Sequence, residues 1–196
     1  MRTTLVIVLT CVSALAGTPL TDIDGNTHDQ LDASSKLANV LYFITNDCPI
    51  SNQYAPEINR ICDEYAAKNV GCYLVYIDPT LSKETIREHA ADYSHDCCAV
   101  IHDTAHALVK RIDAKVTPEA AFVSADGEVL YQGRINNFYA ALGKPRRFVT
   151  VHDLRDAVEA TLAGKSVENP KTQALGCFIP DLAIYKSADK QEHHHE

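Results

Sequence analysis

The run Val40-Leu41-Tyr42-Phe43-Ile44-Thr45-Asn46-Asp47-Cys48-Pro49-Ile50-Ser51 constrains this chain more than any other stretch. A wholly apolar strand ends in a polar turn, and a cysteine follows immediately before a proline. Tyr54, Ile58, Ile61, Cys62 and Tyr65 then fall at helical spacing, so the segment from Pro49 to Lys68 reads as an amphipathic helix. Pro49 suits the first helical position, where its missing N–H costs nothing. Cys48 is thereby placed at a helix N-terminus, where free N–H groups and the helix dipole favour an anion. Such placement lowers a thiol pKa from about 8.5 into a range of roughly 3.5–7.5. The alternative is a merely buried cysteine after a strand, and the polar turn argues against it.

The same strand–helix alternation recurs downstream. Cys72 to Ile77 is a second apolar strand, stopped by Asp78-Pro79. A helix begins near Ser82, a good N-cap, with Ile86, Ala90 and Tyr93 on one face. Cys98 to Ile101 is a short third strand, and Asp103 caps a helix carrying Leu108, Val109 and Ile112. Ala120–Ser124 and Glu128–Gln132 flank Ala125-Asp126-Gly127 as a hairpin. Asn136 to Thr150 is a polar, basic insertion, and a last helix through Leu154, Ala157, Val158 and Leu162 stops at Gly164. This order predicts an α/β fold with a mixed central sheet and helices on both faces. In such sheets, ligand chemistry gathers beyond the C-terminal ends of strands, which is where Cys48 stands.

A formal net charge of −8 argues against a nucleic-acid partner. Arg2, the apolar Leu5 to Leu9 and the small-residue pattern Ala14-Leu15-Ala16 read as an export signal over residues 1–16. Residues 17–164 then form the domain and residues 165–196 a tail that partly wraps it and ends disordered. Export to a periplasmic or extracellular compartment places the remaining cysteines where disulfides persist. Six of the seven would remain: Cys48, Cys62, Cys72, Cys97, Cys98 and Cys177. No stretch after the signal is long and apolar enough for stable membrane insertion.

The ordered set Cys48-Pro49-Ile50-Ser51, Val116-Thr117-Pro118-Glu119, the Phe122 to Tyr131 hairpin, Gly133-Arg134-Ile135 and the tail motif Ala174-Leu175-Gly176-Cys177-Phe178-Ile179 resembles the thioredoxin superfamily. Within it the likeness is to the redoxin, or peroxiredoxin-like, group of exported bacterial proteins. The resemblance implies a thioredoxin-like three-layer sandwich. It implies a thiol-disulfide oxidoreductase that needs no cofactor or metal, serving redox homeostasis, with protein or small-molecule thiols and disulfides as partners and hydroperoxides as a further substrate. Cys48 matches the nucleophile. Pro118 matches the cis-proline beside it, which exposes the Thr117 backbone to an extended thiol substrate; an ordinary trans turn proline is the alternative. Ser51 stands where the dithiol pattern has its second cysteine. Thr45-x-x-Cys48 partly matches the peroxidatic motif, but Leu41 replaces its proline, and Glu119, Ala120 and Ala121 stand where its arginine is expected. Arg134 supplies that charge only if its loop folds over Cys48.

Cys177 is the candidate partner of Cys48, as resolving thiol or as co-ligand of a soft metal such as Cu(I). The second use would make the protein a metal-handling or electron-transfer accessory. A tail cysteine packed as a small hydrophobe is the bland option. Cys62 and Cys72 read as core thiols, with a structural disulfide as the minor reading. His95, Cys97, Cys98 and His102 invite a metal assignment, yet their spacing fits no common finger, and strand alternation would point Cys97 and Cys98 to opposite faces. His106 and His152 read as surface residues. His193-His194-His195 is a loose divalent-ion binder or a solvated tail.

Overall fold

A computed structural model describes residues 20–29, 31 and 34–185; the stretch expected to be an export signal and the terminal histidines lie outside the described residues. In chain order the elements are β1 (Leu20–Thr21), β2 (Thr27–His28), β3 (Ala38–Ile44), α1 (Pro49–Ala66), β4 (Val70–Tyr76), α2 (Lys83–Asp92), β5 (Ala99–His102) and α3 (Ala107–Ile112). There follow β6 (Val116–Thr117), β7 (Glu119–Ser124), β8 (Val129–Gly133), β9 (Tyr139–Ala141), β10 (Lys144–Pro145), α4 (Asp153–Leu162) and β11 (Cys177–Phe178).

Five strands make the central sheet, in the order β5-β4-β3-β7-β8. β3 pairs parallel with β4, and β4 with β5. β7 runs antiparallel to both β3 and β8. The parallel pairs require helical crossovers, and α1 and α2 supply them. The antiparallel pair needs only the Asp126-Gly127 turn, where Gly127 has φ of 90°.

β3 shows why the sheet is covered on both faces. All seven of its residues are buried. Val40, Tyr42 and Ile44 point into one apolar cluster, with Ile58 and Ile61 of α1, Ile86 of α2 and Leu154 and Val158 of α4. Leu41 and Phe43 point into the other, with Leu108, Val109 and Ile112 of α3. Period-two alternation thus feeds two cores from one strand. Each fully buried large side chain contributes about 1.5–3 kcal/mol of transfer free energy.

The caps expected at Ser82 and Asp103 are present. Ser82 Oγ accepts the Thr85 N–H at 3.1 Å. The Asp103 carboxylate accepts N–H groups from Ala107, Leu108 and Val109. The basic insertion is not wholly irregular: β9 and β10 form a small hairpin within it. Among the described residues no helix is long and apolar enough to cross a membrane.

Candidate active site

β3 ends at Ile44, and the Thr45-Asn46-Asp47 turn delivers Cys48 to the N-cap of α1 in an extended conformation. Pro49 takes the first helical position. The Asn52 side chain ties the turn down, its amide donating to Asn46 O at 3.0 Å. Thr45 uses its hydroxyl locally, donating to Asp47 Oδ1.

The Thr117–Pro118 peptide bond is cis, as expected. It brings Thr117 O within 3.0 Å of Cys48 Sγ, which donates to it. Glu119 braces this loop from below. Its buried carboxylate accepts the Lys115 N–H and the Gln132 side-chain amide, at 2.7 and 2.8 Å. In the sequence Glu119 counts toward the proline motif and marks a missing arginine, and nothing there assigns it a bracing role. No local signal marks that role, because the burial of this acid is set by the folded loop.

The tail reaches the site in two steps. Beyond α4, Thr172 N–H donates to Gln132 O, and Gln132 N–H to Pro170 O. Gly133 makes room for this: a Cβ there would lie 2.3 Å from Thr172 O. The tail then turns, and β11 pairs antiparallel with β6, setting Cys177 opposite Thr117 and Phe178 opposite Val116. Gly176 is the second point of close approach, since a Cβ there would lie 2.0 Å from Thr117 O. The two sulfurs, both free thiols, come within 2.7 Å of each other.

Cys48 is buried, at 1% exposure, beneath this strand. Burial works against its thiolate, but hydrogen bonding from the Cys177 thiol and from the Ser51 hydroxyl and N–H outweighs burial, so its pKa falls below that of an ordinary thiol. The Ser51 and Thr117 hydroxyls are buried and lack a nitrogen or oxygen partner among the described residues. Both favour the ionised sulfur, which is a stronger acceptor than the thiol. Cys177 moves the other way. Burial and its bond to Cys48 push its thiol up to about 12. The two shifts run in opposite directions, so of the pair Cys48 ionises the more readily and Cys177 keeps its proton to higher pH.

Arg134 lines a narrow cleft beside Pro118, with Tyr54, Asn136, Tyr139 and Leu175. Its guanidinium is held by both oxygens of Asp153, at 2.7 and 3.1 Å. The hydrogen bond to Asp153 raises its pKa further.

The remaining candidates do not join this site. His102 Nε2 donates to Asp78 O and His106 Nε2 to Ile77 O. The surface expectation fails for His106, which is buried because its ring satisfies the carbonyl beyond β4; His152 is exposed. Strand alternation does not separate Cys97 from Cys98 either, because both precede β5 in a turn and their sulfurs lie 3.9 Å apart. Cys62 and Cys72 are free thiols in the expected core positions, facing Cys98.

The family model for redoxin matches residues 12–138. The chain belongs to the redoxin family. An uncharacterized conserved protein from Geobacillus kaustophilus is 26% identical to this redoxin with a TM-score of 0.71, over 83% of this chain and 87% of that one. A hypothetical protein from Sinorhizobium meliloti is 23% identical with a TM-score of 0.71, over 84% and 90%. A secreted Mycobacterium tuberculosis disulfide oxidoreductase is 16% identical with a TM-score of 0.53, over 76% and 96%. These likenesses establish the thioredoxin-like fold of this redoxin. No curated protein matches it.

Proposed function

We propose that this redoxin is an exported thiol-disulfide oxidoreductase in which Cys48 is the nucleophile and Cys177 the resolving thiol. The observation that carries this is the 2.7 Å approach of the two sulfurs, held by pairing of the tail with the cis-proline strand. Two thiolates sharing a metal ion would stand about 3.8 Å apart or more, so the spacing favours bond formation over Cu(I) handling at this pair.

The electron balance is simple. Cys48 thiolate attacks one sulfur of a substrate disulfide, forming a mixed disulfide and releasing one substrate thiolate. Cys177 gives up its proton and attacks Cys48 Sγ. The second substrate thiolate leaves, and the Cys48–Cys177 disulfide remains. The substrate disulfide has gained two electrons, and an external dithiol must return them to the protein. A hydroperoxide can replace the disulfide: attack on its terminal oxygen releases an alcohol and leaves a sulfenic acid on Cys48, and Cys177 then displaces water. Thr117 is occupied by the tail in the reduced protein, so an extended substrate must displace β11 before reaction, and β11 must return to resolve it. Export rests on the Arg2, Leu5–Leu9 and Ala14-Leu15-Ala16 pattern.

The test is oxidation with a small disulfide followed by intact-mass and peptide mapping. Loss of two hydrogens with a Cys48–Cys177 cross-link is expected. In Cys177→Ser, the same treatment leaves a mixed disulfide on Cys48. A Cys177→Ser protein that turns over as fast as the parent would remove Cys177 from the mechanism.

A further inference from the structure

A second group of thiols lies away from Cys48, separated from it along α1 by fourteen residues, or about 21 Å of helix. Cys62 on α1, Cys72 on β4 and Cys98 before β5 bring their sulfurs within 4.8 Å of one another. Cys97 adds a fourth sulfur, 3.9 Å from that of Cys98. Cys62 and Cys98 are buried, and Cys72 and Cys97 are partly buried. The redox reaction uses none of them.

We propose that Cys62, Cys72 and Cys98, with Cys97 as fourth donor, bind one closed-shell thiophilic cation, Zn(II) or Cu(I). Soft thiolates select such ions. Sulfurs bound to a single ion at about 2.3 Å stand about 3.8 Å apart, so the three core thiols need to close by no more than about 1 Å. A disulfide accounts for this cluster less well, since it uses two sulfurs and leaves a third converging on the same point with no role. A vicinal Cys97–Cys98 bond would likewise leave Cys62 and Cys72 unexplained.

The segment carrying Cys97 and Cys98 is also pinned to α1 one turn before Cys62. Asn59 Nδ2 donates to Tyr93 O at 2.9 Å, His95 Nδ1 meets Asn59 Oδ1 at 2.6 Å, and the Cys97 thiol donates to Asn59 O at 3.9 Å. The Asn59 contacts to Tyr93 and His95 hold the segment as outer contacts do in metal sites, and Cys97 gives up its bond to Asn59 O when it loses its proton to the cation. Binding exchanges thiol protons for the cation and moves no electrons.

The test uses the full chain carrying Cys48→Ser and Cys177→Ser, kept reduced and stripped of metal with a chelator. Zn(II) alone and Cu(I) alone are titrated in separate arms against chromophoric competitors, and Co(II) serves as a spectroscopic probe. One equivalent of Zn(II) or Cu(I) is expected, with thiolate-to-Co(II) charge transfer and tetrahedral d–d bands. Bound Zn(II) or Cu(I) should protect Cys62, Cys72, Cys97 and Cys98 from alkylation. Cys62→Ala and Cys98→Ala should each weaken binding by more than the roughly 10–100-fold typical of losing an outer partner. If these variants fail to fold, stoichiometry and thiol protection in the parent decide the matter. Binding that survives in a Cys62→Ala/Cys72→Ala/Cys98→Ala protein would overturn the proposal. So would absence of a retained equivalent, or a purified protein two hydrogens light with a linked Cys62–Cys98 or Cys62–Cys72 peptide.

Discussion

Cys177 stands directly opposite Thr117 in an antiparallel ladder, and this pairing sets its sulfur against Cys48. The tail therefore occupies the backbone edge that an extended substrate would use. Resolution and substrate binding compete for one short strand. Covalent closure at this point would tie together residues 129 apart in sequence.

Oxidation should raise thermal stability. A cross-link over a loop of this size restricts the unfolded chain, typically by about 2–4 kcal/mol. For a protein of this length each kcal/mol moves Tm by about 2–4 °C, so calorimetry should show a rise of about 4–16 °C in the oxidised form. Cys177→Ser should show no such dependence on oxidation of the pair. An equal shift in that variant would assign the effect to the other cysteines.

Gly176→Ala should loosen the tail. The added Cβ would collide with Thr117 O, which is main chain and cannot rotate away. Overpacking of this kind costs about 1–3 kcal/mol, most of it in docking of β11 rather than in the sheet. The Cys48–Cys177 disulfide should form about 5- to 100-fold more slowly, while alkylation of Cys48 in the reduced protein speeds up because its cover is open more often. Stopped-flow alkylation and quenched oxidation measure the two rates. If both fall together, the glycine matters for folding and not for docking.

Much of this arrangement was legible in the sequence. Cys48 at a helix N-terminus followed from an apolar strand, a polar turn and Pro49, all local signals. The Ser82 and Asp103 caps and the Asp126-Gly127 hairpin were local too. The seat of Cys177 was not, because a two-residue strand has no periodicity and its partner lies far back in the chain. Glu119 escaped because its partners, the Lys115 N–H and the Gln132 amide, are defined only once the loop is folded. Cys62, Cys72 and Cys98 likewise converge only when α1, β4 and the β5 turn have packed. His106 read as exposed because nothing local shows that a carbonyl beyond β4 needs a donor.

The pH dependence of Cys48 should report its neighbours. Its pKa is lowered, so the thiolate persists below the midpoint of an ordinary thiol, about 8.5. Alkylation of Cys48 should rise with pH to a plateau reached earlier than for free cysteine, and fall off only below the lowered midpoint. Ser51→Ala removes a donor to the thiolate and should move that midpoint upward. The rate at neutral pH then drops while the alkaline plateau stays. Opening of the tail also withdraws Cys177 from Cys48 and moves the midpoint itself, so Ser51→Ala is compared with Ser51 in a Cys177→Ser background, where only the Ser51 donor differs. An unchanged midpoint in Ser51→Ala would show that Ser51 does not stabilise the thiolate.

Arg134 should matter little to peroxide chemistry. A hydroperoxide reaction needs a cation free to polarise the O–O bond beside Cys48. Among the described residues, the only basic side chain lining the cleft next to Pro118 is Arg134, and Asp153 holds it through two hydrogen bonds. Asp153 is nearly buried, with its side chain 7% exposed, so releasing the guanidinium would strand a carboxylate, at a cost of about 1–3 kcal/mol or more. Arg134→Met, paired with Asp153→Asn to avoid that orphan, should therefore slow the reaction of Cys48 with hydrogen peroxide no more than its exchange with a small disulfide. Sulfenic-acid trapping and disulfide exchange, followed on the same protein, give the comparison. A loss of tenfold or more confined to the peroxide reaction would mean that Arg134 leaves Asp153 during turnover and serves the peroxide directly.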